Sequence, residues 1–301
     1  MENEEFESYI KAGEIAKEVK KFILELVKPK MKLIDIAEAI DDKILELGGE
    51  PAFPVNLSLN EIAAHYTPEK NDETIAEGIL KVDFGIAING FIADTSISFD
   101  LTPDKKYEDM MKLNRKILKT ASECVRNGMK VRDIGEAAQD ILEKWNEEND
   151  SKFSVIKSLC GHSLDKDNIH SGLTISNYRN ENNTELNDIA FAIEPFVTTG
   201  VGDIYEGQPG GIYVLQSDGN ARDKDVREIL KYIRETFSTR PFCSRWLEDK
   251  DFKKIKFSLA MLVKQGILYH YPMLIEKSKA PVSQFENTFV IANGQATRTT
   301  E

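Results

Sequence analysis

The stretch from Lys81 to Phe99, KVDFGIAINGFIADTSISF, decides how this chain folds. Its apolar run predicts two strands joined at Asn89-Gly90, the dipeptide that most favours a type I′ turn because both central residues must take positive φ. With that turn Ile88 faces Phe91, and counting back along both strands sets Gly85 opposite Asp94. Asp83 lies two residues before Gly85 and shares its face through the pleat. The two carboxylates are then diagonal neighbours, roughly 7–8 Å apart at the backbone and closer at their tips. Two acids on one face of strands rich in Val, Ile and Phe repel each other unless a cation sits between them. A divalent metal is the obvious candidate.

Working outward, the residues before the hairpin predict two helices. Apolar positions recur at helical spacing from Glu4 to Val27 (Ile15, Val19, Phe22, Ile23, Leu26), and Pro29 ends the run. A second helix is expected from about Leu33 to Leu47, stopped by Gly48-Gly49. PAFPVNLSLNEIAAHYTPEKND follows and reads as a long loop, with three prolines and a lone histidine, His65.

After Pro103 the order repeats. MKVRDIGEAAQDIL from Met129 matches MKLIDIAEAIDDKI from Met31, and at the same offset Tyr9 aligns with Tyr107, Ile15 with Leu113, Val19 with Ile117 and Val27 with Val125. A histidine-bearing loop, FSVIKSLCGHSLDKDNIHSG, then precedes an apolar strand, DIAFAIEPF, which Glu194 ends much as an acid marks the first hairpin. Helix, helix, loop and strand recurring in order point to an internal duplication. Two such halves would pack about a pseudo-two-fold axis with their sheets facing a shared site. From Asp223 to about Gln265 the pattern is helical, with a turn at RPFCSRWL, and a last strand, PVSQFENTFVIANG, carries Glu286.

Composition narrows the function. The chain of 301 residues is 41% hydrophobic and 30% charged, as in an ordinary folded protein of one large or two ordinary domains. A net charge of −12 argues against a nucleic-acid face, which needs a basic stripe. No apolar run reaches the ~18 residues of a membrane span, and the acidic start MENEEFESYI is no signal peptide. Cys124, Cys160 and Cys243, widely spaced and without a C-x-x-C, read as reduced packing thiols of a cytosolic protein.

Asp83, Asp94, Glu194 and Glu286 share one oddity, since each lies in or beside an apolar strand. Singly each reads equally well as a solvent-facing or salt-bridged residue; together they ask for a metal, because buried charges need partners. Of the histidines, His162 follows the apolar run Val155–Leu159 and reads as ending a strand beside a glycine, a position that suits a ligand. His65 and His170 fall in loops, where site residues concentrate, and His270 in LYHYP reads as structural or surface. Four carboxylates and one imidazole form a hard, anionic set whose formal −4 balances two M²⁺ ions, as in two-metal hydrolases. The signatures H-E-x-x-H, G-x-S-x-G, G-x-x-x-x-G-K-[ST] and the dinucleotide fingerprint are absent from the sequence.

The ordered set Asp83, Asp94, His162, Glu194, Glu286 resembles the dinuclear centre of the pita-bread metallopeptidases. PAFPVNLSLNEIAAHYTP, GFIADTS, CGHSL…IHSG, AIEPF, RPFCSRWL and QFENT are similar to methionine aminopeptidase type 2 in its short, archaeal-like form, from about residue 9 onward. The resemblance implies an α+β pita-bread fold with internal pseudo-two-fold symmetry, a single catalytic domain over residues 1–301, and a type 2 helical insertion at 216–272. It implies that Asp83 chelates one metal, that Asp94 and Glu286 bridge both, and that His162 and Glu194 bind the other. Glu194 is also the implied general base. His65 and His170 match the non-ligand histidines that contact substrate, and Phe53, Ile169 and Tyr271 the lining of the methionine pocket, a slot whose apolar character suits a thioether. One departure is Asn287, where the family usually carries His after the glutamate.

The function so implied is removal of the initiator methionine from nascent proteins with a small second residue, through a hydroxide bridging two divalent ions. The ligand set does not choose among Co, Mn, Fe and Zn. Nascent peptide N-termini are the expected partners, with ribosome contact left open, no direct nucleic-acid or membrane binding, a monomeric state and a cytoplasmic location. Two alternatives share the fold. One is an Xaa-Pro aminopeptidase or dipeptidase, which would normally carry a further N-terminal domain ahead of Glu4; the other is a metal-free binding protein.

Overall fold

The computed structural model describes residues 1–248 and 250–301. Helices α1 (Asn3–Leu26) and α2 (Leu33–Glu46) form as the apolar spacing predicts. Their inward faces, including Val19, Ile23, Ile36 and Ile40, meet Val82, Phe84 and Ile86 of the strand Ile79–Ile88 in one core. Each such side chain, when fully buried, stabilises the fold by about 1.5–3 kcal/mol. The hairpin has the register read from its turn. Ile88 pairs with Phe91 and Gly85 with Asp94, and Asn89 and Gly90 have φ of 53° and 86°.

The second half repeats the arrangement. Helices α3 (Glu108–Glu123) and α4 (Val131–Glu148) pack over Phe191, Ile193, Phe289 and Ile291 in a second core. α2 and α4 begin at Leu33 and Val131, the offset of the repeated MK motif. Here the sheet has five strands, in the order Gln295–Arg298, Asn287–Ala292, Ile189–Ile193, Gly161–Leu164, Thr174–Ile175.

Side chains of the hairpin stitch the two sheets together. Ser98 Oγ donates to the Gln284 carbonyl (2.7 Å), Thr95 Oγ1 to the Glu286 carbonyl (2.7 Å), and Thr288 Oγ1 to the Asp94 carbonyl (2.7 Å). The Asp94 amide returns a bond to Thr288 Oγ1 at 2.8 Å. Hydroxyls from both segments thus join strands nearly two hundred residues apart, and these buried polar groups find partners.

Helices α5 (Lys224–Phe237), α6 (Arg245–Glu248) and α7 (Ile255–Lys264) pack around their own core, whose buried members run from Tyr213 to Leu268. Asp223 caps α5 by accepting from the amides of Asp225 and Val226.

Four readings of the sequence are corrected. The stretch after Gly49, read as a loop, holds the strands Glu50–Leu59 and Ile62–Ala64. Glu50–Leu59 is the outer strand of its sheet, and its pairing is interrupted between Pro51 and Phe53 and again between Phe53 and Asn56. Proline is tolerated in a strand at an edge or at such an irregularity. The histidine-bearing segment is likewise not all loop, for His162 is the second residue of the strand Gly161–Leu164 rather than the end of one. The turn at RPFCSRWL contains the short strand Phe242–Cys243 and α6. The last strand is two, Val282–Gln284 and Asn287–Ala292, and Glu286 stands in the break.

Candidate metal centre

The five sequence-predicted ligands converge where the two sheets meet. Asp94, His162 and Glu286 each offer an atom within 4.8 Å of the others, and so do Asp83, Glu194 and Glu286. Glu286 belongs to both groups, Asp94 to the one containing His162. Glu194 lies in the group with Asp83, and Gln284 bonds to both. Its amide nitrogen donates to Asp83 Oδ2 (3.1 Å) and to Glu194 Oε1 (2.7 Å), drawing the two carboxylates together.

His162 is brought in by a close approach of backbones. A side-chain carbon on Gly161 would lie 2.1 Å from the Ala192 carbonyl oxygen, so only glycine lets this strand run against Ile189–Ile193. His162 Nε2 then stands 3.6 Å from Asp94 Oδ2.

The electrostatics call for cations. Asp94, Glu194 and Glu286 have their carboxyl pKa values pushed well up, by desolvation first and by repulsion from one another and from Asp83. Asp83 rises to about 7, mainly through desolvation. His162 is lowered to about 3 by desolvation and by His170, so its imidazole is neutral and fit to bind metal. Asp83 Oδ1, Asp94 Oδ1, His162 Nδ1 and both oxygens of Glu286 are buried without a hydrogen-bond partner. Orphaned acceptors of this kind in a hard oxygen-and-imidazole set fit divalent metal ions.

Over the ligands lies a cavity of about 380 Å³. Phe53, His65, Ile169, His170 and Tyr271, all singled out in the sequence, line it. Tyr271 and His65 meet edge to face with ring centroids 5.1 Å apart, and His162 and His170 likewise at 4.3 Å. His65 adopts φ 68°, strained for a non-glycine residue, and its amide donates to Asn56 Oδ1 at 2.8 Å. Burial and His170 lower its pKa to about 4, so it too is neutral.

Three residues escaped the sequence reading. Gln284 lies two positions before Glu286, an offset that in an unbroken strand would share one face, and this was the available signal. Asn56 anchors His65 from a strand that had been read as loop. Lys20, on α1, sends its ammonium to Asn287 Oδ1 (3.4 Å) and the Thr300 carbonyl (3.2 Å). Asn287 also accepts from Thr300 Oγ1 (3.1 Å) and donates to Glu301 (3.1 Å). The residue next to Glu286 is therefore pinned by hydrogen bonds from two other segments.

This fold and this centre are those of a metallopeptidase. The profile of metallopeptidase family M24 matches residues 7–231, and the chain belongs to that family, whose members are metal-dependent hydrolases with the pita-bread fold. More narrowly, the chain is 40% identical over 303 residues to the methionine aminopeptidase of Thermococcus kodakarensis, covering 99% of this chain and all of that one. It is 33% identical over 307 residues to methionine aminopeptidase 2 of Komagataella phaffii, covering 96% of this chain and 68% of that one. Among solved structures, a thermophilic Arx1 superposes with a TM-score of 0.81 at 19% identity, over 99% of this chain and 91% of that one. Methionine aminopeptidase from Rickettsia prowazekii gives 0.68 at 20% identity, over 100% and 98% of the two chains. These two similarities concern the fold alone.

Proposed function

We propose that the chain is a methionine aminopeptidase of type 2, removing the initiator methionine from nascent proteins whose second residue is small. The observation that carries this reading is the pair of ligand groups sharing Glu286 beneath a cavity walled by Phe53, Ile169 and Tyr271. Asp83, Asp94, His162, Glu194 and Glu286 would hold two divalent ions. Such ions supply Lewis-acid charge and an activated water near neutral pH.

The chain's own residues do the rest. The apolar wall receives the methionine side chain, which presents a flexible thioether to aromatic and branched partners. His65 and His170, both neutral, flank the scissile bond, one placed to hold the free amine and the other to stabilise charge developing on the carbonyl oxygen. Glu194 takes the proton from the attacking water and returns it to the leaving amine, as a general base whose pKa is raised by its surroundings. The protein works as a monomer in the cytosol, on N-termini as they emerge. Within the described residues no helix is long and apolar enough to cross a membrane.

The test is to strip the protein with chelator, restore Co²⁺, Mn²⁺, Fe²⁺ or Zn²⁺ in turn, and assay Met-Ala-Ser against Ala-Pro peptides. Release of methionine by at least one metal form, with Ala-Pro left intact, is the expected outcome. Cleavage of Ala-Pro instead would make the protein an Xaa-Pro peptidase. No bound metal and no activity with any of the four would make it a binding protein.

A further inference from the structure

An enzyme that encloses the first residue of a long chain must let the remainder out, and the cavity is open on one side. Among its lining residues Ser158, His170, Gly172 and Thr174 are exposed, whereas Phe53, Phe196, Ile212 and Pro241 are buried. Ser158 also lines a second groove, of about 720 Å³, together with Phe153, Val155, Lys157, Val201 and Asp203. Ser158 is thus common to the lining of both depressions.

We propose that the peptide downstream of the cleaved bond leaves over Ser158 and lies in this groove against Val201, in an extended and uncharged form. The inference rests on the aminopeptidase reading above and adds to it a binding surface for the residues after the small second one.

The chemistry of the groove selects that occupant. Its charged groups already have partners. Glu143 is held by Arg179 (2.8 Å), Asp203 pairs with Lys277, and the Lys157 ammonium lies 5.6 Å from the centre of the Tyr178 ring. The Asn146 amide donates to the Phe153 carbonyl at 2.9 Å. Nothing there demands a charge from a ligand. Val201, by contrast, is 64% exposed, an apolar side chain with nothing to bury it. Its backbone is fixed, because the Val201 amide donates to Glu276 Oε1 at 2.8 Å. A rigid wall carrying an apolar contact, with its polar groups satisfied, grips a passing chain with little demand on sequence. That is what an enzyme acting on many different N-termini requires.

The experiment compares Met-Ala-Ser with an octapeptide that extends it by five neutral residues, for the metal-loaded wild type and for Val201→Asp and Lys157→Glu. Both positions are exposed, so the variants keep the fold, and circular dichroism checks this. The expected result is a KM about tenfold lower for the octapeptide in the wild type, a gain that Val201→Asp abolishes while kcat and the tripeptide constants stay unchanged. Lys157→Glu should instead keep the gain for a neutral octapeptide, because a solvated charge at the groove's edge leaves the apolar contact in place. Equal KM values for the two peptides in the wild type would overturn the proposal, as would a length effect that survives Val201→Asp. A wild type that leaves both peptides intact would overturn the aminopeptidase reading and this inference with it.

Discussion

Gly210 presses against the backbone of His65 so closely that a side-chain carbon at 210 would stand 1.6 Å from the His65 carbonyl oxygen. Gly210 lies in the strand Ile204–Leu215, His65 just past the strand Ile62–Ala64, and the Thr67 amide donates to the Gly210 carbonyl at 2.9 Å. Replacing Gly210 with Ala should therefore move His65 without touching a metal ligand. Overpacking of this kind costs about 1–3 kcal/mol. The expected variant melts several degrees lower and turns over at least tenfold more slowly, with metal content unchanged by elemental analysis.

His65 itself contributes no ligand to either metal group. His65→Ala should lower kcat by about 10²–10³, the range for losing one group that stabilises developing charge. Metal stoichiometry should stay as in the wild type. Full activity in the variant would remove His65 from the mechanism.

Glu286 takes part in both ligand groups, while each other ligand takes part in one. Glu286→Gln should bind Mn²⁺ at neither position with wild-type affinity, whereas His162→Ala should weaken one position and leave the other. Isothermal titration resolves the two cases by stoichiometry.

Gln284 touches no ion in this scheme, yet it ties Asp83 to Glu194. Outer partners of metal ligands are typically worth 10- to 100-fold in affinity. Gln284→Ala should lose that much in Mn²⁺ affinity, and Gln284→Glu more, since it adds a fifth carboxylate to a set already in repulsion. Competition with a chelator of known affinity measures both.

Metal binding must displace protons from this centre. Asp83 is raised to about 7, and Asp94, Glu194 and Glu286 are pushed well up by burial and mutual repulsion. Around neutrality the folded, metal-free chain therefore holds carboxyl protons that the unfolded chain has already lost. Its stability should fall as pH rises from about 6.5 through 7, because unfolding there releases protons. Histidines oppose the trend in part, because unfolded histidine, near 6.5, is still partly protonated in that window whereas His65, His162, His170 and His270 are held lower in the fold. Buried Lys81, whose pKa desolvation pushes well down, opposes the trend by one proton at most. Apparent metal affinity should climb over the same range, and calorimetry in two buffers of different ionisation enthalpy should report proton release.

Much of this was legible in residues close together in sequence. Asn89-Gly90 fixed the hairpin register because a two-residue turn leaves no freedom in pairing. The helices followed from apolar spacing, and the duplication from the repeated MK motif. What could not be read depended on distant partners. Pro51 and Pro54 concealed a strand, since whether proline is tolerated depends on that strand's place at the sheet edge. Gln284 showed only its offset from Glu286, and its tie to Asp83 was hidden because that residue lies 201 positions away. The break at Glu286 was likewise invisible, for it is the hairpin's Thr95 and Ser96 that take up the Glu286 backbone.

The two ligand groups have a consequence for the integrity of the chain. Asp83 and Asp94 come from the first repeat, and His162, Glu194 and Glu286 from the second, so each group combines one acid of the first with two ligands of the second. Neither repeat expressed alone carries a complete group. A bound ion is in effect a removable rivet across the seam. A chain nicked in the exposed turn at 103–106 should stay assembled and active while loaded, and become easier to pull apart with denaturant when chelator draws the metal out.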